Sequence, residues 1–209
     1  NHNFRYLWLS VIAMMCASSI QQIARGFLVY EITESAKVVG LVSASTAVPI
    51  LILSLFGGAF ADRFDRKFVI QIGQTFSLAI TLFVAITIMM DMLTWYHLLA
   101  TSILQGVMWS FLSPARLAII PEMVDKRLIS SAMAIYGAGF SGSILVAPAI
   151  GGLLYSLIGP ERVYYLVSIL HLAAMALTYP ITTSKQQHPE NRHPILTDIK
   201  SGLAYIWNS

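Results

Sequence analysis

The chain has 209 residues, of which 56% are hydrophobic and 11% charged, with a net charge of +3 and a mean hydropathy of +0.70. A soluble domain is about a quarter charged and leaves most of its residues touching water, so this composition excludes a soluble globular fold and makes lipid the solvent for much of the chain. The basic residues are scattered between apolar segments rather than gathered on one face, which argues for a topology signal and against nucleic acid as a partner.

Six segments reach the length of about 20 residues that a helix needs to cross the hydrocarbon. They run from Tyr6 to Tyr30, Val38 to Ala61, Phe68 to Met90, Trp95 to Leu112, Ser131 to Tyr155 and Val163 to Ile181. The dyad alternation of a membrane barrel is missing, so the spacing predicts an all-α membrane protein.

The first segment is too long, and too polar in its second half, for a signal peptide. Cys16, the single cysteine, lies inside it, so no disulfide framework exists. Ser18, Gln21, Gln22 and Arg25 recur at helical spacing as a polar stripe suited to a water-filled path. Holding Arg25 near the bilayer centre costs about 2.5 to 3.5 kcal/mol. Two placements meet that cost: facing a cavity, or snorkelling outward past Glu31.

Between the second and third segments stands GGAFADRFDRK, Gly57 to Lys67, with Asp62, Arg63, Asp65, Arg66 and Lys67 in six residues. Gly58 lies four residues before Asp62, one helical turn earlier, where a second helix can approach closely. Asp62 is then free to face a neighbouring helix N-terminus, an interaction of about 0.3 to 1 kcal/mol. The plainer alternative is that these charges only hold the turn in the cytoplasm.

In the fourth segment Gln105, Gly106, Met108, Trp109 and Ser113 offer hydrogen bonds and an aromatic face to an amphipathic small molecule. Packing against neighbouring helices is the rival for Met108 and Trp109; Trp109 and Gln105 are assigned to the pocket, Met108 to packing. The fifth segment carries Gly137, Gly139, Gly142, Pro148, Gly151 and Gly152, which allow close crossing and bending. None of the six segments holds an Asp or Glu at depth, while His171 sits midway along the sixth, as a proton relay or as a structural hydrogen bond.

The polar tail from Thr182 to Asn191 is expected to be a loop, opening a linker over 182–209 that holds an amphipathic helix from Pro194 to Trp207 along the inner membrane surface. His188, Glu190 and His193 fall in that linker and are read as solvated rather than metal-binding. No phosphate-binding loop or nucleophilic triad stands in the sequence, so no cofactor is expected and the chain is not read as an enzyme.

With Asn1 in the cytoplasm, ten basic residues lie inside: Arg5, Arg63, Arg66, Lys67, Arg116, Lys126, Arg127, Lys185, Arg192 and Lys200. Only Lys37 and Arg162 lie outside, with Arg25 within the first span, so both termini are expected to be cytoplasmic. GGAFADRFDRKFVIQIG and GGLLYSLIGPERVYYLV line up at an offset of 94 but on opposite sides, the mark of two inverted three-span repeats.

Gly58, Asp62, Arg63, Arg66 and Lys67 stand at the spacing of the loop signature G-x-x-x-D-R-x-G-R-K of the major facilitator superfamily, with Asp65 replacing its glycine. That variant, with QQIARGFLVYEIT, SPARLAIIPEMV and the AP-x-x-GG at Ala147 to Gly152, resembles the drug and siderophore exporters described as transmembrane secretion effectors. The resemblance implies that residues 1–181 form the amino-terminal six-helix bundle of a twelve-span transporter, and that 182–209 lead to a second bundle of the same polypeptide. It implies that Gly58, Asp62, Arg63, Arg66 and Lys67 form a latch between the bundles, that Gln21, Gln22, Arg25, Gln105 and Trp109 line the substrate pathway, and that Gly142, Pro148, Gly151 and Gly152 form an exporter motif with Ala147 in place of its first glycine. The drug-antiporter pattern also has an arginine three residues before the Q-G of the fourth span, where this sequence has Ser102. The expected function is proton-coupled efflux of small amphipathic molecules across a bacterial inner membrane. A six-span half-transporter working as a homodimer, and a membrane scaffold or sensor that transports nothing, are the alternatives.

Overall fold

The computed structural model describes residues 2–61 and 65–182, with side chains of 55–61 excepted. Among the described residues every long element is helical: α1 (His2–Thr33), α2 (Ala36–Ser45), α3 (Ala47–Ala61), α4 (Arg66–Met89), α5 (Trp95–Met123) and α6 (Ile129–Thr178), with a 3-10 turn at Lys126–Leu128 before α6. Five helical stretches are long and apolar enough to cross a membrane: His2–Thr33, Ala36–Ser54, Arg66–Met89, Trp95–Met123 and Lys126–Thr178.

The last of these is not one straight rod; α6 alone would then be about 75 Å long at 1.5 Å per residue. Gly159 interrupts α6 with φ +81° and ψ 167°, a conformation that costs an L side chain dearly. The contacts with α1 show a reversal there. Along 129–158 they rise together: Trp8 Nε1 donates to the Ile135 carbonyl, Gly151 lies against Ile20, and the Tyr155 hydroxyl donates to Glu31. Along 160–178 they run oppositely: Ser10 Oγ donates to the Ala174 carbonyl, and Asn3 reaches Thr182 just beyond the helix.

The predicted second span is kinked at Thr46, between α2 and α3. Pro49 has no N–H for the Ser45 carbonyl one turn back, and its ring crowds that carbonyl. The predicted fourth span is too short: α5 runs on through Pro114 and Pro121 to Met123.

Helix α1 is central. In its most apolar stretch 56% of residues are buried within the protein, against 17% for the span at 36–54. The outer helices expose Leu51, Leu145 and Leu157 at 75%, 81% and 68%, a surface only lipid or another apolar protein face tolerates. A buried polar node joins α1, α4 and the second limb of α6: Gln74 Nε2 donates to Ser10 Oγ at 2.9 Å, and Thr178 Oγ1 donates to Gln74 Oε1 at 2.7 Å. With every partner satisfied, such a node fixes register in an interior of low dielectric.

The linker and amphipathic helix expected after Thr182, including His188, Glu190 and His193, lie outside the described residues.

Candidate functional site

A cavity of about 300 Å³ opens among α1, the α2–α3 kink, α5 and the first limb of α6. Its walls include Ser18, Gln21, Gln22 and Arg25 from α1, Ser43 and Thr46 from the kink, Gln105 and Trp109 from α5, and Phe140 and Pro148 from α6. All five residues assigned to a pathway by sequence therefore meet at one hollow. Met108 does not: it faces a separate apolar groove between α4 and α5 with Phe68, Ile72 and Leu112.

Beside the cavity two helices touch without side chains between them. A Cβ on Gly106 would lie 2.3 Å from the Thr46 carbonyl oxygen, so α5 seats directly on the kinked backbone. Ser110 Oγ, one turn on, donates to the Pro49 carbonyl at 3.3 Å. Across the cavity, Gly151 brings α6 against the Ile20 Cα, where an added Cβ would lie at 3.0 Å. Gly142, by contrast, has nothing within 4 Å of an added Cβ. Gly152 has only the Phe27 ring, at 3.9 Å, and the break in α6 falls at Gly159 rather than Pro148.

Arg25 does not snorkel. It is 8% exposed, lines the cavity, and its Nη1 donates to Ser102 Oγ on α5, while its Nε has no hydrogen-bond partner among the described residues. Where the drug-antiporter pattern has an arginine on α5, this protein thus brings a guanidinium across from α1. Gln105 is 4% exposed; its Nε2 donates to Ser77 Oγ at 3.2 Å, and its Oε1 has no partner among the described residues. Ser18 Oγ is likewise buried and unpartnered. Among the described residues, no aspartate or glutamate lines the cavity.

The charged loop is described in part. Gly58 falls within α3, while Asp62 and Arg63 lie outside the described residues. Asp65, the residue that departs from the signature glycine, is the N-cap of α4: its Oδ1 accepts from the Lys67 and Phe68 amides at 2.8 and 3.2 Å. Glycine is itself a serviceable N-cap, so the exchange keeps the helix start. Arg66 Nη1 pairs with Glu122 Oε1 at 2.6 Å near the end of α5 and also donates to the Ala118 carbonyl. Lys67 Nζ donates to the Tyr179 carbonyl at 2.8 Å and lies 5.9 Å from the centre of that residue's ring. Both cations fasten the start of α4 to the ends of neighbouring helices.

His171 is wholly buried, with Nδ1 2.9 Å from the Val167 carbonyl oxygen and Nε2 unpartnered among the described residues; it lines neither hollow. Arg116, counted from sequence among the cytoplasmic connectors, is instead 1% exposed inside α5, against Met14 Sδ. The reason is the continuation of α5 through Pro114, which carries Arg116 inward. Arg25 is thus not the one cation within a span.

The sequence matches the transmembrane secretion effector family over residues 1–209. It is 23% identical over 188 residues to the staphyloferrin A transporter of Staphylococcus aureus, covering 90% of this chain and 47% of that protein. It is 29% identical over 167 residues to multidrug resistance protein 2 of Bacillus subtilis, covering 79% of this chain and 40% of that one. The chain therefore spans about half the length of the curated relatives it matches. The crystal structure of the POT family transporter PepTSo superposes with a TM-score of 0.72 at 16% identity, over 95% of this chain and 42% of that one, a likeness of fold alone.

Proposed function

Because the chain belongs to the transmembrane secretion effector family, among whose relatives are major facilitator transporters, we propose that it forms one six-helix bundle of an exporter of small amphipathic molecules. The two limbs of α6 count as separate spans, which gives six passes and puts both termini in the cytoplasm of a bacterial inner membrane. A second bundle from the same polypeptide supplies the opposite wall. The observation that carries the reading is the hollow at the α1, α5 and α6 contact, where Gln21, Arg25, Gln105 and Trp109 join a mostly apolar wall. Such a site suits a ligand with a large apolar body and few polar groups.

Alternating access then moves this bundle against its partner, with the Gly58 to Lys67 loop closing the cytoplasmic side in one state. A proton gradient drives the cycle. The test uses the full reading frame in an efflux-deficient bacterial host loaded with fluorescent amphipathic dyes. Active export lowers dye accumulation, and a proton ionophore abolishes the effect. Asp62→Asn leaves membrane levels intact but stops export; transport at the wild-type rate in that variant refutes the latch, and accumulation unaffected by the wild-type protein for all dyes refutes the exporter.

A further inference from the structure

We propose that the cavity takes the negatively charged end of its ligand, so that the transported class is amphipathic monocarboxylic acids. This deepens the exporter reading and rests on that cavity being the substrate site. Arg25 is more than nine-tenths buried on the cavity wall and carries a donor with no protein partner among the described residues. Its Nη1 donates to a neutral hydroxyl, Ser102 Oγ, the Tyr164 phenol that interacts with the guanidinium is also neutral, and no carboxylate lines the hollow among the described residues. A buried cation held only by neutral groups is costly unless a countercharge arrives.

Gln105, Ser18 and Ser19 add neutral polar groups to the same wall. Trp109, Phe140 and Ile144 offer an apolar face to the body. One guanidinium balances one negative charge, and its planar fork matches a carboxylate. A phosphate monoester, near −2 at neutral pH, leaves surplus charge in the hollow.

Equilibrium dialysis of the full-length protein in phosphatidylcholine nanodiscs, corrected with empty discs, tests this with three probes: 1-naphthylacetate, its methyl ester, and 2-(1-naphthyl)ethylammonium. Wild-type protein is expected to hold the acid about 10-fold to 100-fold more tightly than the ester, the range of a charge-assisted hydrogen bond, and the ammonium most weakly. Arg25→Gln removes the preference for the acid, and Arg25→Lys keeps part of it. The proposal is overturned if the wild type binds the ester or the ammonium as well as the acid, if it binds none of the three, or if Arg25→Gln keeps the preference. An Arg25 already neutralised by a carboxylate elsewhere in the polypeptide gives the first result. The wild-type comparison stands even if a variant fails to fold. Dialysis involves no transport, so acid-selective binding without export refutes only the exporter, whereas export by a protein indifferent to the acid refutes only this inference.

Discussion

Replacing Gly106 with alanine tests whether α5 truly seats on the kinked second span. The new methyl group would lie 2.3 Å from the Thr46 carbonyl oxygen and 3.1 Å from its carbon, both backbone atoms that no rotamer change can move. Ordinary contact begins at 3.4 Å, so α5 and the kink must part by about 1 Å. Overpacking of that kind costs about 1 to 3 kcal/mol. Alanine also favours the helix by about 1 kcal/mol over glycine, which masks part of the loss. The comparison that isolates the clash is Gly137→Ala, in α6, where nothing lies within 4 Å of an added Cβ and only the propensity gain is expected. Gly106→Ala should therefore be less stable than Gly137→Ala by about 1 to 3 kcal/mol, read as midpoints of denaturation of the full-length protein in one detergent. Equal stability of the two variants would mean that the helices do not touch at Thr46, and the cavity beside them would lose its floor.

Asp65→Ala should destabilise the protein by about 1 kcal/mol, while Asp65→Gly costs only a few tenths; equal losses in the same denaturation assay refute the N-cap. The Arg66 and Glu122 side chains are 14% and 15% exposed, between the surface and buried cases. A double-mutant cycle of Arg66→Gln with Glu122→Gln should give a coupling of about 1 to 3 kcal/mol, and a coupling near zero would reduce the pair to a surface contact. His171→Gln should leave the pH profile of transport by the full-length protein unchanged, because the imidazole lines neither hollow; a displaced profile restores it as a proton relay.

The long apolar helices were legible because length and hydropathy alone decide whether a helix is able to cross lipid. Their interruptions were not. Pro49 and Pro114 both stand in apolar runs, yet the first coincides with a kink and the second lies inside a continuing helix. A helical proline costs about 3 kcal/mol, and whether the chain bends depends on what packs against the freed carbonyl. Next to the carbonyl freed by Pro49, at Thr46, α5 packs on the backbone through Gly106, a contact no local pattern reports. The reversal in α6 was readable in part from Gly159–Pro160, a pair that favours a break.

The polar stripe on α1 was legible for the same reason as the spans: Ser18, Gln21, Gln22 and Arg25 keep helical spacing in a run that is otherwise apolar. Arg116 was not, because proline two residues earlier makes Ser113–Pro114 look like the end of a span. Insertion costs of about 2.5 to 3.5 kcal/mol per arginine near the bilayer centre make an apolar side chain the better choice for stability at either site. Both arginines nevertheless bridge α1 and α5, through Ser102 at one level and Met14 at another. Of the two, Arg25 lines the cavity described above and Arg116 does not. The same unfavourable burial therefore has a ligand-facing explanation at Arg25, whereas at Arg116 two guanidinium nitrogens stay without partners among the described residues, and packing alone gives no reason to prefer it to methionine.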